Sequence, residues 1–282
     1  MRNNPVFIIL NILVCLNTLA WIAVYDLSQQ DLQVIFFDVG QGDATLIRTP
    51  HGHHILIDGG PSSVVLEKLG QEMPFWSREL DLIILTHPHY DHMAGMIEVI
   101  KNYRVKNVLW TGVLTDTIAF GRWQELLEEG EFDIHIARAG QRIYGGPVVL
   151  QIFHPFENLE NQTVSNLDDT SIVVKTVFEE KSFLFTGDAF QAVEMALLEK
   201  GLDVSSSVLQ VGHHGSRTST AQDFVRAVSP QIAIISAGRD NRHGHPHKET
   251  LDTLGLYEAV ILRTDEQGDI KIFSDGTNYL IR

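Results

Sequence analysis

Cysteine is almost missing from this chain of 282 residues, with Cys15 the sole example. That excludes internal disulfides and thiolate-rich zinc sites, so any metal has to be held by histidine and carboxylate. Excess positive charge is missing too: 21 Lys and Arg face 36 Asp and Glu, a formal net charge of -15. A surface built throughout to grip nucleic acid needs clustered cations, so a phosphate-bearing substrate has to be met locally. The chain has no internal repeat, no low-complexity stretch and no Pro/Gly/Ser-rich linker. What remains is a globular composition, 44% hydrophobic and 20% charged, with 13 histidines available as ligands. Beyond a short N-terminal segment the body has a length that one α/β domain reaches without splitting.

The N-terminal segment is distinct. Residues 6 to 25, "VFIILNILVCLNTLAWIAVY", carry no charge, and about twenty apolar residues are what a helix needs to cross a bilayer. Asn11, Asn17 and Thr18 weaken the run. Arg2 precedes it and Asp26 and Asp31 follow, a bias that predicts a single-pass anchor with its N-terminus in the cytoplasm and the body outside. The rival reading is a secreted protein, released after cleavage of a signal with an apolar core over Val6 to Leu16 and small residues Thr18 and Ala20 before the cut. The predicted organisation is a segment over residues 1–28 and one catalytic domain over 29–282.

From Leu32 the chain reads as short strands: "LQVIFFDV", "DATLIRT", "HHILIDGG", "LDLIILT" and "VKNVLW", with a helix at "MAGMIEVIKNY". A second set follows at "VVLQIFHP", "TSIVVKTVF", "KSFLFTGD", "SSVLQVG", "QIAIISAG", "EAVILRT" and "DIKIFSD". Helical patterns enter late, at "AFQAVEMALLEKG", "STAQDFVRAVSP" and "HKETLDTLGLY". This order predicts two sheets packed face to face and covered outside by helices.

Several apolar strands end in polar residues. "LDLIILT" runs into His87, "KSFLFTG" into Asp188, "SSVLQVG" into His213 and His214, and "IAIISAG" into "RDNRHGHPH". A rigid strand fixes the loop after it, which is where α/β folds place chemistry. In "THPHYDH", His87 and His89 can face one position while the next turn offers Asp91 and His92 to another. Imidazole and carboxylate suit zinc, manganese or iron. By contrast "GQGD" precedes a strand, so it reads as a tight turn with Asp43 in support and not as a nucleotide loop. "HGHH" at 51–54 reads as a solvated turn, "ELLEEGE" as a solvated helix face, and Asp58 in "LIDGG" as a carboxylate that orients a ligand.

Those motifs resemble the H-x-H-x-D-H and later aspartate motifs of the metallo-β-lactamase superfamily. "FFDVGQGDATLI", "LIDGG", "VGHHGSRTS", "IISAG", "NRHGHPH" and "LRTDEQGDIKI" bring the likeness closer to the extracytoplasmic hydrolase domain of ComEC competence proteins. The resemblance implies an αββα sandwich with a dinuclear centre of two divalent ions, zinc or manganese. It also implies a hydrolytic reaction on phosphodiesters, with single-stranded DNA among the candidate substrates. Carried over, His87 and His89 hold the first ion, Asp91 and His92 the second, and Asp188 bridges. A histidine of "GHHG" completes the second site; His213 is favoured over His214 because it directly follows the strand.

Many members carry a further histidine ahead of the bridging aspartate, where this chain reads "NLDDTS". Asp168, Asp169, His154 from "FHPF", or water is left to fill that position, and weaker binding of the first ion is expected. Two adjacent cations lower the pKa of a shared water and stabilise phosphoryl charge, with Asp91 placed to orient the nucleophile. Arg217, Arg239, Arg242 and Lys248 are candidate phosphate contacts, and His245 is the candidate proton donor to a leaving oxygen. β-Lactam hydrolysis is disfavoured, because no cysteine lies near the site. Two other readings stand beside the nuclease: a phosphodiesterase for small or cell-envelope substrates such as phosphorylcholine esters, and a non-catalytic metal-binding accessory domain of a membrane DNA-uptake system.

Overall fold

A computed structural model describes residues 5–28, 31–74 and 76–282. Its body is a four-layer αββα sandwich. One sheet has eight strands in the order Tyr279–Ile281, Ile270–Ser274, Leu32–Phe36, Thr45–Arg48, His54–Ile57, Leu82–Ile84, Asn107–Trp110 and Asp133–Ile136. The other has seven, in the order Val260–Arg263, Ile232–Ile235, Val208–Gln210, Lys181–Phe185, Val173–Phe178, Val148–His154 and Arg142–Gly145. Each sheet has an antiparallel part and a parallel part: His54–Ile57 to Asp133–Ile136 run parallel in the first, Lys181–Phe185 to Val260–Arg263 in the second.

The apolar runs are nearly continuous because both faces of each sheet are buried, and the two-residue period sorts side chains between cores. Val34 and Phe36, Ile55 and Ile57, and Leu82 and Ile84 face the inter-sheet core, where they meet Val174, Phe183, Phe185, Val208 and Ile232. Their neighbours Ile35, Leu56, Ile83 and Leu85 turn outward beneath the helices Val64–Glu72, Tyr90–Asn102 and Ile118–Glu129. On the far side Leu184, Leu209, Ala233 and Ile235 underlie Gln191–Glu199, Gln222–Val228 and Lys248–Leu256. The helix Val64–Glu72 and the edge strands Asp133–Ile136, Arg142–Gly145 and Tyr279–Ile281 escaped the sequence reading. The three edge strands are short and partly exposed, so they lack the buried apolar signal.

Residues Pro5–Ser28 form a helix. Asn11 Nδ2 donates to Phe7 O at 2.7 Å and Thr18 Oγ1 to Val14 O at 2.9 Å, so these polar groups are satisfied within the helix. The expected membrane span is not found: among the described residues, no helix is long and apolar enough to cross a membrane. Asn11, Asn17 and Thr18 are the polar residues that dilute the apolar run.

The parallel strands of both sheets point their carboxyl ends at one pole. His54–Ile57 leads to Asp58, Leu82–Ile84 to His87, Lys181–Phe185 to Asp188, Val208–Gln210 to His214 and Ile232–Ile235 to the His245 loop. Close backbone packing fixes these loops together. A Cβ on Gly95 would lie 1.8 Å from Gly59 O, and one on Gly42, at φ +145°, would lie 2.2 Å from Asp91 O. Both positions therefore demand glycine.

Candidate metal centre

At this pole two sets of ligand atoms converge. His87, His89, Asp168 and Asp188 form one, and Asp91, His92, Asp188 and His214 the other, each with its atoms within 4.8 Å of one another among the described residues. Asp188 belongs to both. Its Oδ1 lies 3.3 Å from His92 Nε2, and its Oδ2 lies 3.6 Å from His214 Nε2 and 3.9 Å from His87 Nε2. In the first set His89 Nδ1 is 2.8 Å from Asp168 Oδ1; in the second, His214 Nε2 is 3.4 Å from Asp91 Oδ2.

The donor set fits divalent cations on two counts. It is all imidazole and carboxylate, and among the described residues the buried atoms His92 Nε2, His214 Nε2 and Asp188 Oδ1 have no hydrogen-bond partner. A buried polar atom without a partner costs about 1–3 kcal/mol, so three of them aimed at one another call for a shared cation.

Supporting contacts aim the rings. Asp58, in left-handed backbone at φ 57°, accepts Thr86 N–H at 2.8 Å and Thr86 Oγ1–H at 2.7 Å. It also accepts from His92 Nδ1 at 2.8 Å, which turns Nε2 toward Asp188. This is the orienting role read for Asp58 in the sequence. Asp43 and Ser236 O lie 3.3 Å and 3.0 Å from His214 Nδ1 and direct Nε2 inward in the same way. Asp43, Asp58 and His92 also converge, but both oxygens of Asp58 are already engaged.

His214, and not the favoured His213, joins the second set. Both residues take left-handed backbone, at φ 50° and φ 55°, a pairing that costs on the order of 1–3 kcal/mol per residue. The turn buries His214 and sends His213 outward, where it stacks on Phe190 with centroids 5.4 Å apart and keeps its Nε2 3.8 Å from Asp188. The position left open by the missing histidine is taken by Asp168. Asp169 instead accepts from Asn166 Nδ2 at 2.9 Å, and His154 Nδ1 is held by Ser171 O at 2.8 Å, so neither enters the set.

Charge follows the geometry. Burial drives His87 down, and nearby His92 drives it further, so its ring is neutral. Burial opposes charge on His92 and His214 as well, yet the carboxylates of Asp188 and of Asp58 or Asp43 hold both well above the ordinary imidazole range. His89 is raised against its burial by Asp168. Burial alone would raise Asp188, but His214 and His92 more than offset it and keep the carboxyl well below its usual value. Asp91 is lowered in the same way, against its burial, by His214 and His92.

His245 lies at the mouth, its ring centroid 5.6 Å from that of His213 and 6.3 Å from that of His214. Burial and then the adjacent His214 and His213 lower its pKa to about 4. Sequence reasoning missed Asn241, which organises this loop by donating to Gly238 O and His245 O and accepting His243 and His245 N–H. An Asn inside a Gly-rich loop was the available signal. The four candidate cations join neither ligand set. Arg239 donates to Asp265 O at 3.2 Å and 3.1 Å, Lys248 pairs with Asp252, Arg242 Nε lies 3.2 Å from His243 Nε2, and Arg217 lies 3.7 Å from Glu249.

Comparison with known proteins agrees with this architecture. The family profile described as the metallo-beta-lactamase superfamily matches residues 37–239. ComE operon protein 3 of Bacillus subtilis (strain 168) is 30% identical over 280 residues, covering 92% of this chain and 35% of that protein. Recombination protein 2 of Haemophilus influenzae is 33% identical over 252 residues, 87% of this chain and 29% of that protein. These are ComEC-type relatives, as the motifs implied, and the chain spans about a third of their length. In fold it is similar to the metallo-beta-lactamase fold protein YhfI of Bacillus subtilis, with TM-score 0.59, 14% identity, and coverage of 86% of this chain and all of that one. The metallo hydrolase Igni18 of Ignicoccus hospitalis gives TM-score 0.55 at 14% identity, over 86% of this chain and 98% of that one. The profile match and the assembled ligand motifs together place this chain in the metallo-beta-lactamase superfamily.

Proposed function

We propose that this chain is a phosphodiester hydrolase with a two-ion centre, acting on DNA in association with a DNA-uptake system. The observation that carries the reading is the pair of ligand sets joined through buried Asp188. When bound there, two divalent cations, zinc or manganese, supply a water of lowered pKa and neutralise charge on a phosphoryl oxygen. His87, His89, Asp168 and Asp188 would hold one ion, and Asp91, His92, His214 and Asp188 the other. Asp58 and Asp43 keep the His92 and His214 rings in the required tautomer. Asp91 is partly exposed at the mouth, where its carboxylate would orient an attacking water. Exposed Arg217 and Arg242, on the loops that carry His214 and His245, and Lys248, which opens the helix Lys248–Leu256, meet phosphate oxygens as the substrate approaches. DNA as the substrate is supported by the ComEC-type relatives, one of them named for recombination.

The test is turnover of bis-p-nitrophenyl phosphate and single-stranded DNA by the chain supplied with zinc or manganese, beside an Asp91→Ala, His92→Ala double variant. Hydrolysis of both substrates that falls at least about 10³-fold in the variant is expected, since two ligands of one ion are lost. Ion binding without turnover of either substrate would overturn the reading in favour of an accessory role.

A further inference from the structure

Gln41 sits in the "GQGD" turn, between the ligand loop at Asp91 and the loop of His245. Its Oε1 accepts the Gly238 N–H at 3.1 Å, and its Nε2 lies 3.5 Å from His245 Nδ1. A backbone N–H can only donate, so the carbonyl end of the amide must face Gly238 and the NH2 end must face the ring. That NH2 can only donate as well. With the ring uncharged, this contact is met when Nδ1 of His245 accepts and the ring proton sits on Nε2.

Two further features hold this arrangement. A Cβ on Gly238 would lie 2.7 Å from Gln41 N, so the two loops meet backbone to backbone. Asn241 grips His245 at both ends, accepting its N–H at 3.0 Å and donating to its carbonyl at 2.6 Å. Among the described residues the ring has no other hydrogen bond, and it is half-buried beside His213, His214 and His247.

We propose that Gln41 is a positioning residue that sets the Nδ1-accepting tautomer of His245, presenting Nε2–H as a hydrogen-bond donor to an anionic oxygen of the substrate. The substrate side of this rests on the phosphodiesterase reading; the tautomer does not. No proton is transferred, so the role differs from acid catalysis.

The test uses the full chain, zinc-loaded and 15N-labelled in its histidine side chains, with His245 assigned by comparison with His245→Gln. Long-range nitrogen–proton spectra should show an Nε2-protonated ring. Gln41→Glu keeps an acceptor for Gly238 but sets a carboxylate against Nδ1, so it should move the proton to Nδ1 while leaving metal content unchanged. Its kcat/KM for bis-p-nitrophenyl phosphate should fall roughly tenfold, mainly through KM, the scale of one hydrogen bond to a charged group. That loss should vanish in a His245→Gln background, because the two residues act through one contact. An Nδ1-protonated ring in the unaltered protein, or the same tautomer in Gln41→Glu, would overturn the proposal. So would a turnover loss that persists without His245. If the unaltered protein hydrolyses no phosphodiester, the phosphodiesterase reading fails, and the spectra alone then decide what Gln41 does.

Discussion

At the scale of single residues the centre is a proton store that a cation must empty. His92 and His214 are raised well above the ordinary imidazole range by the carboxylates around them, so both are protonated at pH 7 before an ion binds. Ligation needs neutral imidazole, so binding expels those protons, and affinity rises as pH climbs through the raised values and falls as it drops. Zinc titrations in buffers of different ionisation enthalpy should report net proton release above one per chain; none would contradict the charge assignment. Asp58→Ala strips the acceptor from His92 Nδ1 and leaves the Thr86 N–H unpaired, with Thr86 Oγ1 keeping only its contact to His87 Nδ1. It should weaken ion binding about 10–100-fold in competition with a chelator. His87, His89, Asp91 and His92 were legible in the sequence because they crowd one loop after a buried strand. The choices between His213 and His214, and among Asp168, Asp169 and His154, were not. They depend on a left-handed turn and on which side chains contacts elsewhere capture.

Among elements, glycines and one buried carboxylate hold the loops to the sandwich. Gly95→Ala would drive a Cβ into Gly59 O and should cost about 1–3 kcal/mol or more in denaturant unfolding, since neither backbone segment can move freely. Glu194, buried in the helix Gln191–Glu199, accepts the Thr220 and Ala221 N–H groups at 2.6 Å and 2.7 Å. Glu194→Ala leaves both donors orphaned and should destabilise by about 2–5 kcal/mol, loosening the loop that carries Arg217. A change below about 0.5 kcal/mol in either variant would show that these contacts are not structural. Most core strands were legible because burial on both faces writes them as apolar runs. Three of the four edge strands, Asp133–Ile136, Arg142–Gly145 and Tyr279–Ile281, were not, because exposure removes that signal. The meeting of Gln41 with Gly238 and His245 was equally hidden, since it joins positions about two hundred residues apart, a separation no local pattern encodes.

In the whole molecule, the strand Leu32–Phe36 starts at the pole opposite the ligand sets and runs toward them, so the helix Pro5–Ser28 joins the body at the far end from the chemistry. Among the described residues, the hydrophobic cores contain none before Leu32. Removing residues 1–28 should therefore leave ion content and melting temperature unchanged within error, and a fall in either would show that the segment supports the sandwich. The net charge of -15 leaves substrate capture to the few cations at the mouth, so association with DNA should weaken with salt and with Arg217→Ala. The central claim is that one buried carboxylate joins two ion sites, and metal analysis of the dialysed protein tests it most directly. About two ions per chain are expected in the unaltered protein, and fewer than about one in Asp188→Ala, because both sites lose a ligand at once. A single ion in the unaltered protein, or two retained without Asp188, would contradict it.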